Sequence, residues 1–395
     1  MTQTIGMRLR TLRLQRGLTQ QELARSTREG KNKGVSVATI RLLEQERANE
    51  TRAETLHILA RSLRTTTSYL LGDRGDEETT PDERWEGVRQ AIQAPPVIAE
   101  GLEEPPTVEG VTAALGDTEP LRRADQFAAT ARLLPSLIRD ADALGPEGRE
   151  VRVRVLQLAG WLMIQTRQFD VAELALDRAM DDGSNLSQWG ATVNSRCWML
   201  LRQGQLGKAR ELATHWADEM EPRRISRATP GELCAWGWML LRVSAAAVRD
   251  NRPGEAADAM KLARAAASVL GTERAHHADG MRTFGPTTIV LKSAENESIR
   301  RRPDKVLDLA KQVPIGGVLP STNNRNRHAL DVADALVATR KYAEAVGVLQ
   351  GIHDASPEWL PNQRYARDIL GRVVERRRSL SPEIRNLAEV VGLAV

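Results

Sequence analysis

From residue 121 to the C-terminus one pattern recurs: a short polar turn followed by an Ala-rich amphipathic helix. The turns are Thr166-Arg167-Gln168-Phe169, Gln203-Gly204-Gln205-Leu206, Asn251-Arg252-Pro253-Gly254, Arg301-Arg302-Pro303-Asp304 and Arg340-Lys341-Tyr342-Ala343. With Phe169, Leu206, Pro253, Pro303 and Tyr342 as landmarks, the steps are 37, 47, 50 and 39 residues. Such a pattern predicts antiparallel helix pairs, each with an apolar face that only the next pair can cover. Small residues at Ala172, Ala175, Ala209, Ala256, Ala257 and Ala345 let the helices approach closely. The expected class is therefore all-α, and 395 residues exceed what one hydrophobic core usually serves.

The strict tetratricopeptide period is about 34 residues. Residues 121–395 resemble degenerate tetratricopeptide repeats with lengthened helices. That resemblance implies a superhelix whose first helices line the concave side.

Charge divides the rest of the chain. Residues 1–72 carry 13 basic and 6 acidic side chains, residues 73–120 carry 3 and 13, and the whole chain has a net charge of +4. A basic module followed by an acidic stretch is the layout of a tethered nucleic-acid binder. Within 5–72 short helices are expected. Thr19 opens a capping box with Glu22, Ser36 caps a helix over 37–46, and 53–63 form another with Leu56, Leu59, Ala60 and Leu63 on one face. Residues 73–120, with six prolines among many acids, read as a linker that contains one helix at 83–93, docked by Trp85.

Residues 7–47 hold the string Leu18-Thr19-Gln20-Gln21-Glu22-Leu23-Ala24, then Gly34-Val35-Ser36, Thr39-Ile40 and Leu43-Glu44. It resembles the Cro/phage-repressor (XRE) class of helix-turn-helix domains, which implies a lambda-repressor-like head in residues 1–72. The resemblance puts Leu9, Leu12, Leu18, Leu23, Val35, Ile40 and Leu43 in a small core. It makes Thr19 the cap of the second helix and sets Gln20 against a phosphate. Ser36, Val37, Ala38, Arg41 and Leu42 would face the major groove, with Arg41 reading guanine. Arg47 and Arg52 would meet phosphates, and Arg13 would pair with Glu44 to lock the first helix to the third.

The chain departs from that family twice. Residues 28–33 look like an insertion of about six residues between the second and third helices. It is either a solvated loop or a basic finger in which Arg28, Lys31 and Lys33 add phosphate contacts. The reading face is also unusually apolar, so DNA shape would carry part of the specificity.

Elsewhere four asparagines draw notice. Asn194, Asn296, Asn323 and Asn326 lie 12, 7, 19 and 16 residues before their turn landmarks, near one stripe of the first helices. They either cap and face water, or they bind a polar ligand with Arg325 and Arg327 beside them. Trp161, Trp189, Trp198, Trp216, Trp236 and Trp238 serve inter-helix packing or a pocket wall. His276, His277 and Asp279 read as loop or packing, not as metal ligands. The triple arginines at 300–302 and 376–378 read as solvated helix ends. Cys197 and Cys234 read as buried free thiols. No nucleotide, nucleophile or metal motif is present, so no catalysis, cofactor or metal is expected. No apolar run is long enough to span a bilayer and no signal segment opens the chain, so a cytoplasmic protein without membrane contact is expected.

A helix-turn-helix head before tetratricopeptide-like repeats resembles the peptide-sensing regulators of Gram-positive bacteria. The resemblance implies a homodimer that binds double-stranded DNA and responds to a signalling peptide or small-molecule effector. The alternative is a ligand-independent repressor whose repeats dimerise or recruit a protein.

Overall fold

A computed structural model describes residues 4–28, 34–45, 51–63, 65, 67, 70, 83–94, 105–276, 279–314, 316, 318–376 and 379–394. Among these the protein is all-α apart from one β-hairpin, with 19 α-helices packed in sequential pairs. Each of the five landmark residues is the first residue of the second helix of its pair. Of the six small residues expected to allow close approach, five are buried and Ala257 is exposed. Lys31, Lys33, Arg47, His277, Arg377 and Arg378 lie outside the described residues.

One joint is used six times. Asp125, Arg167, Gly204, Asn251, Arg301 and Arg340 all have φ between 51° and 77°. The next residue (Gln126, Gln168, Gln205, Arg252, Arg302, Lys341) has ψ of 59° to 77° and begins the second helix. Its N–H donates to the carbonyl five residues back, at Leu121, Met163, Leu200, Ala247, Glu297 and Leu336. This left-handed closure satisfies carbonyls that the end of the first helix would leave orphaned. Only one of the six left-handed positions is glycine, although an L side chain there costs roughly 1–2 kcal/mol. The sequence reading found five of the joints and missed the one at Asp125.

The chain divides into two compact units, residues 1–122 with 126–159 and residues 123–125 with 160–395. The first begins with α1 (Ile5–Gln15), α2 (Gln20–Ser26), α3 (Val37–Glu44) and α4 (Ala53–Ser62). Leu9, Leu23, Val35, Ile40 and Leu43 are buried with Leu56, Leu59, Leu63 and Leu70, and Leu12 and Leu18 pack half-buried against them. Gly6 lets α1 approach α3, since a Cβ there would lie 2.0 Å from the Leu43 carbonyl oxygen. The base of the insertion is pinned. Thr27 Oγ1 donates to the Ala24 carbonyl (2.7 Å) and accepts from the Val35 N–H (2.8 Å). Residues 29–33 lie outside the described residues.

Much of the stretch expected to be a linker is folded instead. Glu86–Gln93 is a helix that buries Val88, Ala91 and Ile92, with Trp85 buried before it. Val108–Arg123 is another helix. It is tied to α4 where His57 Nδ1 meets Asp117 Oδ2 at 2.7 Å. Just before this helix, Thr107 donates its N–H (3.0 Å) and its hydroxyl (2.9 Å) to Glu54. The helix Phe127–Asp142 supplies the cap that α4 lacks locally: Asp140 Oδ2 accepts from the N–H of Ala53 at 2.7 Å and of Glu54 at 3.4 Å. The helix at 83–93 with Trp85 docked was expected; Val108–Arg123 was hidden by proline and acidic composition, because its apolar residues are few and its polar partners lie 53 and 60 positions away.

In the second unit the helix Pro230–Arg249 is central. It is buried without interruption from Trp236 to Val248 and packs against helices Leu186–Arg202, Leu206–Glu219, Pro253–Leu270 and Pro286–Ile299. Rows of alanine (Ala209, Ala213 and Ala217; Ala259, Ala263 and Ala266) form the close-approach faces. The exception to helix is a hairpin of β1 (Arg274–His276) and β2 (Asp279–Phe284), antiparallel, with Arg274 opposite Phe284 and Ala275 opposite Thr283. Phe284 covers Gly237, where a Cβ would lie 2.1 Å from the ring, and Trp238 Nε1 donates to the Thr283 carbonyl at 3.0 Å. The stretch expected as loop around His276 is therefore a strand pair. No described helix is long and apolar enough to cross a membrane.

Candidate functional site

The first candidate surface lies on α3. Its N-terminus is capped by Ser36, whose Oγ accepts from the Thr39 N–H at 3.0 Å. The helix is held from its other end. Arg13 grips Glu44 through two bonds, Nε to Oε1 at 2.6 Å and Nη2 to Oε2 at 2.8 Å. Arg13 Nη1 donates to the Leu18 carbonyl at 2.8 Å, and Gln20 Nε2 donates to Glu44 Oε2 at 2.9 Å. Burial pushes the Glu44 carboxyl up, but the bonds from Arg13 and Gln20 outweigh it and its pKa is lowered. The hydrogen bonds that Arg13 donates to Glu44 raise its own pKa in turn. Three helices thus meet at one compensated charge.

The expected site residues then separate. Ala38, Arg41 and Leu42 are exposed on one stripe of α3, and Gln45 at its C-cap continues it. Val37 is half-buried against the core, and Ser36 is used as the cap. Thr19 forms the capping box with Glu22. Gln20 faces Glu44, so its amide serves α3. Arg52 sits half-buried at the start of α4. Gln45 was missed by the sequence reading, although its spacing of seven from Ala38 would have shown it.

The second candidate is an open cleft in the second unit. Its lining draws Arg202, Arg242, Arg249, Arg282, Lys292 and Arg327 from five separate elements, with Glu295 the only acid among the lining residues. Trp161, Trp198, Leu201 and Met281 supply apolar wall, so two of the six noted tryptophans face the cleft. Some of the cations have partners. Glu295 takes Arg249 Nη2 at 2.6 Å and Lys292 Nζ at 2.9 Å, and Arg282 meets Asp279 at 3.1 Å. Others bond only to neutral groups: Arg242 Nε to Asn194 Oδ1 (2.6 Å), Arg202 Nη2 to the Asn362 carbonyl (3.1 Å), and Arg327 Nη1 to Gln363 Oε1 (3.2 Å). Trp238 stands behind with Arg242, Lys292 and Arg282 at 5.2, 5.8 and 6.0 Å from its ring centre.

The titration of these groups reflects burial first and crowding by like charge second. Burial, and then Arg327, Arg167 and Arg364, pull Arg202 below the usual arginine range. Burial and then Arg282 do the same to Arg242. Behind the cleft, burial and Glu295 push the Asp331 carboxyl up. Burial lowers His328 to about 4.

Of the residues read as ligand-binding, Asn323 and Arg327 line the cleft together. Asn194 lies just behind it, bonded to Arg242 and to Asp279 (3.3 Å), and borders a smaller cavity under the hairpin. Asn296 and Asn326 are not lining residues. Asn296 Nδ2 donates to Ser244 Oγ at 2.8 Å, and Asn326 Nδ2 to Asp125 at 3.2 Å and Ser356 at 2.9 Å. Arg325 is exposed. The shared offset of the asparagines thus marks inter-helix hydrogen bonding as much as a ligand stripe. Among the described residues no group of His, Cys, Asp and Glu could hold a metal ion, and Cys197 and Cys234 are buried and free.

No protein-family model matches the chain, and no curated protein matches it.

Proposed function

We propose that this protein is a homodimeric, sequence-specific DNA-binding transcriptional regulator of the cytoplasm. In this reading it has a Cro/phage-repressor-type head and tetratricopeptide-like repeats, and its DNA affinity is set by a small effector or peptide in the cleft of the second unit. The observation that carries this reading is the grip of Arg13 and Gln20 on Glu44, which fixes α3 and leaves Ala38, Arg41, Leu42 and Gln45 as one free stripe. A helix presented this way enters a major groove, where arginine pairs with guanine O6 and N7, glutamine with adenine, and alanine or leucine with a thymine methyl. One such helix touches few bases, so affinity requires two heads on paired half-sites. Effector control follows from linkage: a ligand that binds the DNA-competent state better raises DNA affinity by the same factor. The protein acts by binding and carries out no reaction.

The test is selection of binding fragments from random duplex DNA with the full chain, repeated with Arg41→Ala. We expect an inverted repeat, and loss of preference at one position per half-site worth about 1–3 kcal/mol. A single asymmetric half-site bound by a monomer, or unchanged preference in the variant, overturns the reading.

A further inference from the structure

We infer that the cleft of the second unit takes a small organic ligand bearing at least two negative charges, phosphate or carboxylate, and recognises it by charge and not by its amide groups. The inference rests on the proposed reading of this cleft as the effector site and adds the chemical class of its ligand. Six cations line the cleft, and even with Glu295, Asp279 and Asp331 all ionised three positive charges stay uncompensated. Uncompensated charge withdrawn from water is costly, and a bound anion removes the cost. The excess is concentrated on Arg202, Arg242 and Arg327, the three whose side-chain hydrogen bonds go to neutral acceptors.

Two recessed donors have no acceptor from the protein, Arg202 Nη1 and Asn323 Nδ2, and both residues line the cleft. Guanidinium forks match the paired oxygens of carboxylate and phosphate. Trp161 and Met281 add apolar wall for the ligand's carbon skeleton. The asparagines argue against recognition of a peptide main chain. Asn194 is bonded at both ends of its amide, and Asn296 and Asn326 donate to buried protein groups. Of the four, Asn323 remains, and its neighbour Asn324 in the lining already donates to Ser321 at 3.2 Å, too few to follow an extended backbone. The cations are also recessed in a concavity, which suits a small molecule and not a duplex.

The experiment is calorimetric titration of the full chain at constant ionic strength with pyrophosphate, citrate and acetate. We expect pyrophosphate or citrate to bind and acetate not to; whichever binds tells whether phosphate or carboxylate is preferred. Arg202→Gln and Arg327→Gln should each weaken binding about tenfold, the worth of one charge-assisted hydrogen bond. Arg202→Lys should keep part of it, and Lys311→Gln, which removes an exposed cation paired with Asp308, should change nothing. Absence of binding by both multivalent anions, or equal loss with Lys311→Gln, overturns the inference. DNA affinity is measured in parallel. If citrate or pyrophosphate binds and DNA affinity stays constant, the ligand class stands and the effector role falls. If a neutral capped peptide shifts DNA affinity while neither anion binds, the effector role stands and the ligand class falls.

Discussion

Arg13 in the head and Arg202 in the cleft are both arginines withdrawn from water, yet they are held in opposite ways. Arg13 has a carboxylate gripped at two points, which Gln20 also bonds, and its third nitrogen is taken by a carbonyl. Arg202 has a carbonyl, the face of Trp198 at 5.3 Å, and other arginines for neighbours. A compensated charge pins helices together, whereas an uncompensated one stores a demand for something the chain does not supply. The helix we propose as the DNA reader needs the first; the proposed anion receptor needs the second.

The comparison breaks most sharply at Arg13. Arg13→Ala leaves Glu44 buried without its cation and should cost the head about 3–5 kcal/mol. Hydrogen exchange on the full chain should then accelerate across residues 5–15 and 37–44 while the second unit stays protected. Unchanged protection there would show that the pair does not hold the head together.

Asp140 is an intermediate case, a buried carboxylate answered first by backbone amides and only then by the field of Arg52. Burial pushes it up to about 6 from an ordinary 3.8 despite those hydrogen bonds. A carboxyl raised on folding stabilises the fold fully below its unfolded pKa and loses that contribution as pH climbs through about 6. Asp140→Asn keeps an acceptor for the Ala53 N–H and removes the titration. The first unit should therefore lose its stability change between pH 4 and 6, and gain up to about 3 kcal/mol at pH 8. Unfolding curves across that range, superimposable for parent and variant, would refute this.

The smallest effect should have the opposite sign to that at Arg13. Without added anion, Arg202→Gln removes one of several crowded cations while keeping a donor for the Asn362 carbonyl. The second unit should melt higher, by about 1 kcal/mol, the scale of a like-charge contact in a partly wet site. A lower melting temperature would place Arg202 with Arg13 as a structural charge.

What the sequence revealed follows how far apart the partners lie. The capping box at Thr19, the cap at Ser36 and the five joints are local, written within a few residues. The Arg13–Glu44 pair spans 31 positions, but a resemblance carried it. The cap of α4 by Asp140, the clearance at Gly6 under Leu43 and the cleft cations have no local signature. Each is made by elements that meet only after folding. The hairpin escaped because β1 has three residues and two of the buried positions of the six-residue β2 are the polar Asp279 and Arg282, so no apolar alternation shows. The asparagine stripe was a true regularity whose physical cause was mixed, since the same offset that points a side chain inward also brings it to the neighbouring helix.

The six left-handed joints have a consequence for how such a chain can change over time. Each joint fixes the exit of one helix and the entry of the next through the same two backbone torsions and one hydrogen bond, whatever the lengths on either side. A turn of helix can then be inserted or lost without re-angling its neighbours. The helices that follow the joints, from 8 to 18 residues long, fit that tolerance. Selection on such an array acts on its corners and leaves the spans between them free to drift, so its ancestry fades from the residue-by-residue record sooner than its geometry does.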